Sequence, residues 1–136
     1  MTIAISCLIF AAFNIILTKI PVAIAMNKVP GGYDNHNPRD QQAKLEGFGK
    51  RALAAHQNAL EGFPVFAAGI LLALWSNAAA ETVNTLALVW VASRLIYNLC
   101  YWANAEKLRS LSWITGFVCS IWLMEILKTL EIAFAY

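Results

Sequence analysis

Arginine, asparagine, glutamate and tyrosine recur at helical spacing in two stretches of a chain that otherwise reads as apolar. Arg51 and Asn58 stand seven residues apart, nearly two helical turns, and so share a face. Glu61 follows one turn further on, about 60° round from Asn58. In the second stretch Arg94, Tyr97 and Tyr101 fall at i, i+3 and i+7, again a single stripe. Arg109 stands just beyond a short polar link. Arginine takes carboxylates, glutamate takes an ammonium, asparagine matches amide groups and tyrosine hydroxyls donate. This inventory suits a small zwitterionic ligand with several carboxylates.

Each residue also has a purely structural reading. Asn58 and Glu61 can bond to neighbouring helices as polar glue. Arg94 can pair with Glu61, and Tyr97 and Tyr101 can sit at a membrane interface as anchoring aromatics. His56 reads as a polar helix residue ahead of a general base. Glu125, Lys128 and Glu131, spaced three apart, suit an ion pair within or between helices rather than a proton path. Asp34 and Asn35 suit an Asx-turn. Phosphate-binding loops, metal-ligand pairs and nucleophile motifs are absent from the sequence. Cys7, Cys100 and Cys119 all lie in apolar stretches, and an odd count without metal-type spacing favours buried thiols.

The elements that must position these groups are membrane helices. Hydrophobic residues make up 60% of the 136 residues and charged residues only 13%, against about 25% charged in soluble domains. So few charges cannot clothe a water-facing surface, and the apolar runs are long enough to cross a bilayer. The expected fold is an all-α membrane protein, a single domain over residues 1–136 with four transmembrane helices. The spans run over about 2–26, 48–75, 82–104 and 110–135, with a cytoplasmic loop over 27–47. That loop carries two prolines, paired glycines and dense polar sequence. The first apolar run lacks a basic leader and a clear cleavage site, so it reads as a retained helix.

Lysine and arginine in the loops set the orientation. The first loop and its flanks hold Lys28, Arg39, Lys44, Lys50 and Arg51; the link before the fourth span holds Lys107 and Arg109; the link over 76–81 has neither. Both termini are therefore expected on the non-cytoplasmic side. The two polar stripes then lie in the cytoplasmic halves of their helices, at similar depth. Each ionisable group there costs roughly 2.5–3.5 kcal/mol to insert, so each needs a reason. A polar cavity open to the cytosol supplies one. The net charge of +2 gives no basis for a nucleic-acid partner.

The segments RALAAHQNALEGFPVF over 51–66 and RLIYNLCY over 94–101, followed by Arg109-Ser110, resemble the MAPEG family of membrane-associated proteins in eicosanoid and glutathione metabolism. The paired patterns N-x-x-E-x-x-P and R-x-x-Y-x-x-x-Y carry the resemblance, which covers nearly the whole chain. The YDNHNPR loop is similar to the bacterial branch, which places the protein in an inner membrane. The resemblance implies a homotrimer of four-helix subunits, with glutathione as co-substrate between neighbouring subunits near the cytoplasmic side. Asn58 and Glu61 would hold its polar groups, with Arg51 supporting from the start of the second span. Arg94, Tyr97 and Tyr101 would line the site. Arg109 would stabilise the thiolate, with Ser110 beside it, because a neighbouring cation lowers a thiol's pKa. Tyr97 or Tyr101 would donate to the sulfur or the leaving group.

The sequence departs from the pattern at Ala54. Catalytic members of the family place a glutathione-gripping arginine there, four residues before Asn58. Gln57 likewise replaces a basic residue of some members, and the spacing from Tyr101 to Arg109 varies across the family. Two readings stay open. One is a glutathione transferase or peroxidase that draws lipophilic small molecules from the membrane lipid. The other is a non-catalytic lipid-binding or scaffold protein of the same fold. A small four-span transporter fits less well, since it would place an essential carboxylate in the first span, which has none.

Overall fold

A computed structural model describes the backbone of residues 2–134 and the side chains up to residue 126; the side chains of Lys128 and Glu131 lie outside the described residues. All regular structure among the described residues is helical: α1 (Thr2–Asn27), α2 (Pro38–Ala43), α3 (Gly47–Trp75), α4 (Ala80–Trp102) and α5 (Glu106–Phe134). Helices α1, α3 and α4 are long and apolar enough to cross a bilayer. A backbone in hydrocarbon must satisfy its N–H and C=O groups within the segment, which a helix does and an open strand does not.

The packing has the polarity of a protein dissolved in lipid. Along α1 the inward residues are Ala4, Cys7, Ala11, Asn14, Thr18, Val22 and Met26, a stripe that is mostly small or polar. The outward face carries Ile3, Ile5, Ile9, Phe13, Ile16, Leu17, Ile20 and Ile24. In water this arrangement would be inverted. Lipid tails solvate large apolar side chains as well as a core does, so helices associate through small residues and hydrogen bonds instead. The protein is a membrane protein.

Helices α3 and α4 form the middle of the bundle, each touching α1, α5 and the other. The main core gathers Phe66 and Ile70 of α3, Val83, Ala87 and Trp90 of α4, Cys119 and Leu123 of α5, and the small residues of α1. Phe66 stacks on Trp90 with centroids 3.9 Å apart. Hydrogen bonds set the helix directions. The Ala4 amide donates to Asn84 Oδ1, and Asn98 Nδ2 donates to Asn14 Oδ1 at 3.0 Å, so α1 and α4 run parallel. Arg94 of α4 meets Ser112 and Trp113 of α5, while Tyr101 meets Arg109, so those two helices run antiparallel.

Asn14 and Asn98 are both nearly fully buried, and their bond ties α1 to α4 where apolar packing cannot discriminate register. Asn14→Leu is expected to lower stability by about 1 kcal/mol, because it leaves the Asn98 amide unpaired. Asn14→Leu with Asn98→Leu should recover most of that loss, since no orphan remains. Thermal unfolding of the two single variants and the double variant checks this; strictly additive losses would refute it.

The long connection between α1 and α3 is an ordered structure built on side-chain to backbone bonds. Asp34 Oδ1 accepts from the amides of His36 and Asn37, the Asx-turn expected there. Gln41 is the staple: its Nε2 donates to the Met26 and Gly32 carbonyls and its Oε1 accepts from the Asp34 amide. Pro38 opens α2, where its missing N–H costs nothing. The link over 103–105 between α4 and α5 emerges at this same end of the bundle, where Trp102 packs against the cluster that joins Met26 at the end of α1 to Ala52 near the start of α3.

Candidate functional site

Arg94 occupies the junction of three helices. It is only 4% exposed, and four of its donor contacts are made inside the chain. Its Nη1 donates to Asn58 Oδ1 at 3.1 Å, crossing from α4 to α3. Its Nη2 donates to the carbonyls of Ser112 at 3.0 Å and Trp113 at 3.1 Å on α5. Its Nε reaches Ser93 Oγ at 3.4 Å. A guanidinium has five donors in a planar fork, so most of this one's capacity holds the bundle together. The fork passes α5 only because residue 116 is glycine. A Cβ there would collide with the Arg94 Nη2, with Ser93 Oγ at 2.6 Å and with Arg94 Cζ at 2.8 Å.

From Arg94 a line of stacked groups runs toward the loop end of α4. Its guanidinium lies 5.7 Å from the Trp90 ring centre and 5.2 Å from that of Tyr97. Tyr97 meets Tyr101 edge to face at 5.3 Å. The Arg109 guanidinium then lies over Tyr101 at 4.5 Å. The i, i+3, i+7 spacing in α4 makes this stripe, and the short link to α5 lets Arg109 fold back onto it. Arg109 differs from Arg94 in one respect. Its side chain stacks on an aromatic ring, and among the described residues no side-chain hydrogen bond from its guanidinium is seen.

A cavity of 120 Å³ lies between α3, α4 and α5, with Asn58, Glu61, Arg94, Trp90, Gly116 and Ser120 on its wall. The structure thus brings Asn58, Glu61 and Arg94 to one wall, and joins Tyr97, Tyr101 and Arg109 to it through the stack. Arg94 is bonded to Asn58 and not to Glu61. Glu61 is exposed at the cavity's edge. Arg51 and Ser110 are not on the cavity wall. The Arg51 Nε is buried without a partner, and the Ser110 hydroxyl donates to the Glu106 carbonyl of its own helix at 3.1 Å. Ala54 is half-buried on the Asn58 face of α3.

Sequence reasoning missed Gly116, Ser93 and the α5 carbonyls that receive Arg94. A glycine inside an apolar helix signals close approach to something, since it costs about 1 kcal/mol against alanine. Periodicity does not say what it approaches. Ser112 and Trp113 could not be found at all, because their contribution is backbone.

Comparison with known proteins agrees with the patterns noted in the sequence. The family model described as the MAPEG family matches residues 3–127, nearly the whole chain. No curated protein and no solved structure matches.

Proposed function

The chain belongs to the MAPEG family, and from that premise we propose that it is a membrane-bound, glutathione-dependent transferase or peroxidase acting on lipophilic electrophiles or lipid hydroperoxides. The observation that carries the proposal is Arg109, a cation stacked on Tyr101 whose guanidinium makes no hydrogen bond to another described residue and so can take an anion. Arg94 is the contrasting case, since its donors already serve the fold. In this reading Arg109 favours the thiolate of glutathione, and the sulfur attacks the electrophile while the leaving group takes the displaced electron pair. Tyr97 or Tyr101 donates to the sulfur or to that leaving group. Asn58 and Glu61 orient the peptide, and the cytosol and the bilayer supply the two substrates from different sides.

The small cavity supports the assembly part of the proposal. Ligand sites usually enclose about 300–1,000 Å³, and 120 Å³ is too little for a tripeptide. One chain supplies a wall, with Glu61 exposed on it, and a neighbouring subunit of a homotrimer supplies the other. Helix α5, 29 residues long, is the fourth crossing. Its exposed face of Trp113, Ile114, Phe117, Val118, Ile121 and Trp122 suits lipid or a neighbouring copy. The termini lie outside the cytoplasm, in a bacterial inner membrane.

A non-catalytic lipid-binding role is the second reading, favoured by Ala54 in place of the arginine clamp. Calorimetric titration of the purified oligomer with glutathione separates the two. Saturable heat is expected, with affinity reduced about tenfold or more in Glu61→Ala through loss of a charge-assisted contact. Absence of saturable heat in the wild-type protein would leave the scaffold reading standing.

A further inference from the structure

A second and larger cavity, 710 Å³, lies beside α1 and α3 and under α2, with Lys19, His36, Arg39, Asp40, His56 and Leu60 on its walls. It stands on a different face of α3 from the site above, since His56 and Asn58 are two residues apart and point about 200° from each other. Neither Arg94 nor Arg109 borders it. Lys19 lies eight residues inside the end of α1, and His56 nine residues inside the start of α3. Those offsets place both about 12–14 Å from the helix ends. Thr18 Oγ1 and His56 Nδ1, 3.2 Å apart, join the two helices at that level.

An ammonium at this depth costs roughly 2.5–3.5 kcal/mol to insert and calls for an anion. No described residue forms an ion pair with it. Asp40 is the one acid on the wall, and it is not ion-paired with Lys19. Arg39 adds a second permanent cation from α2, so the cavity is positive overall. Its apolar side opens toward lipid: Leu60 is 47% exposed, and Ile16 and Ile20, flanking Lys19 on α1, are 62% and 50% exposed. A polar interior with two cations from separate elements and an apolar rim matches a tetrahedral anion attached to an acyl chain. A phosphate offers enough acceptor oxygens for both cations at once.

We propose that this cavity binds the phosphate of a phosphoester head group, with Lys19 and Arg39 as its charge partners. The site is independent of the glutathione reading and survives its failure. The source of the phosphate is a bilayer phospholipid or a soluble phosphomonoester, and the test distinguishes them. Full-length protein in detergent is titrated with phosphatidylglycerol and, separately, with glycerol 3-phosphate, reading retained ligand by native mass spectrometry and the ligand-dependent rise in melting temperature. Retention of phosphatidylglycerol is expected, weakened about tenfold or more in both Lys19→Met and Arg39→Gln. Removing the lysine charge favours insertion, so Lys19→Met should fold, and only the increment due to ligand is compared. A response to the lipid alone assigns the site to membrane phospholipid; an equal response to glycerol 3-phosphate assigns it to soluble esters. Wild-type affinity in Lys19→Met, or no retention of either ligand by the wild-type protein, overturns the proposal.

Discussion

Gly116→Ala is expected to destabilise the protein by about 3 kcal/mol, a large effect for one methyl group. The reason is the direction of that methyl. It would enter the space of the Arg94 guanidinium and Ser93 Oγ, so the fork must withdraw from the Ser112 and Trp113 carbonyls. Overpacking a core costs about 1–3 kcal/mol, and each hydrogen bond from a charged group that is lost adds roughly 1.5–3 kcal/mol, partly regained by relaxation. The displaced arginine also leaves Asn58 without its partner, so glutathione binding should fall with stability. Gly62→Ala is the control on the same cavity. Its new Cβ would meet Arg94 Nη1 at 3.8 Å and Trp90 at 4.0 Å, ordinary contacts, and a helical alanine gains up to about 1 kcal/mol over glycine. Thermal unfolding in detergent should therefore move the two variants in opposite directions. Equal melting temperatures would show that Arg94 does not hold α5 in the way described.

Arg109→Ala is expected to lower kcat/KM for conjugation of glutathione to 1-chloro-2,4-dinitrobenzene by about 100-fold, with little change in melting temperature. Among the described residues the Arg109 side chain contributes its stacking on Tyr101 and no hydrogen bond, so its substitution costs the fold at most about 1 kcal/mol. The chemistry loses the cation that favours the thiolate. The rise of rate with pH, which follows thiol ionisation, should therefore move upward by about one to two units. Arg109→Lys keeps the charge but not the planar fork and should fall between the two. Equal rates for the wild-type protein and Arg109→Ala, at the level of the uncatalysed reaction, would remove the catalytic proposal. A loss of rate with an unmoved pH profile would assign Arg109 to binding instead of ionisation.

Much of the architecture was legible in the residues because it depends on local quantities. Lipid solvation acts on each helix separately, so the scarcity of charge and the length of the apolar runs suffice to specify membrane helices. The stripes Arg51–Asn58–Glu61 and Arg94–Tyr97–Tyr101 are likewise properties of a single helix. What could not be read was which stripe meets which. Along the chain Arg94 reads equally as a ligand-binding group and as a partner of Glu61; in the structure it bonds to Asn58 and to α5 carbonyls. Backbone carbonyls carry no signature in a sequence, so nothing along the chain distinguishes an arginine that ties helices together from one left free.

His56 shows the same limit. Alone it is an unremarkable polar residue on a helix, and Lys19 is one charge in an apolar run. The sequence separates them by 37 positions. Only antiparallel packing of α1 and α3 sets them at one depth, on the wall of one cavity.

The sequence by itself determined that this chain dissolves in lipid, that it does so as helices, and which side chains share a face, since each follows from solvation and the 3.6-residue turn. Tertiary structure alone decided that Arg94 commits its donors to the fold while Arg109 stacks on Tyr101. That choice depends on how closely α4 and α5 approach at Gly116, a distance set by interlocking surfaces and by no single segment.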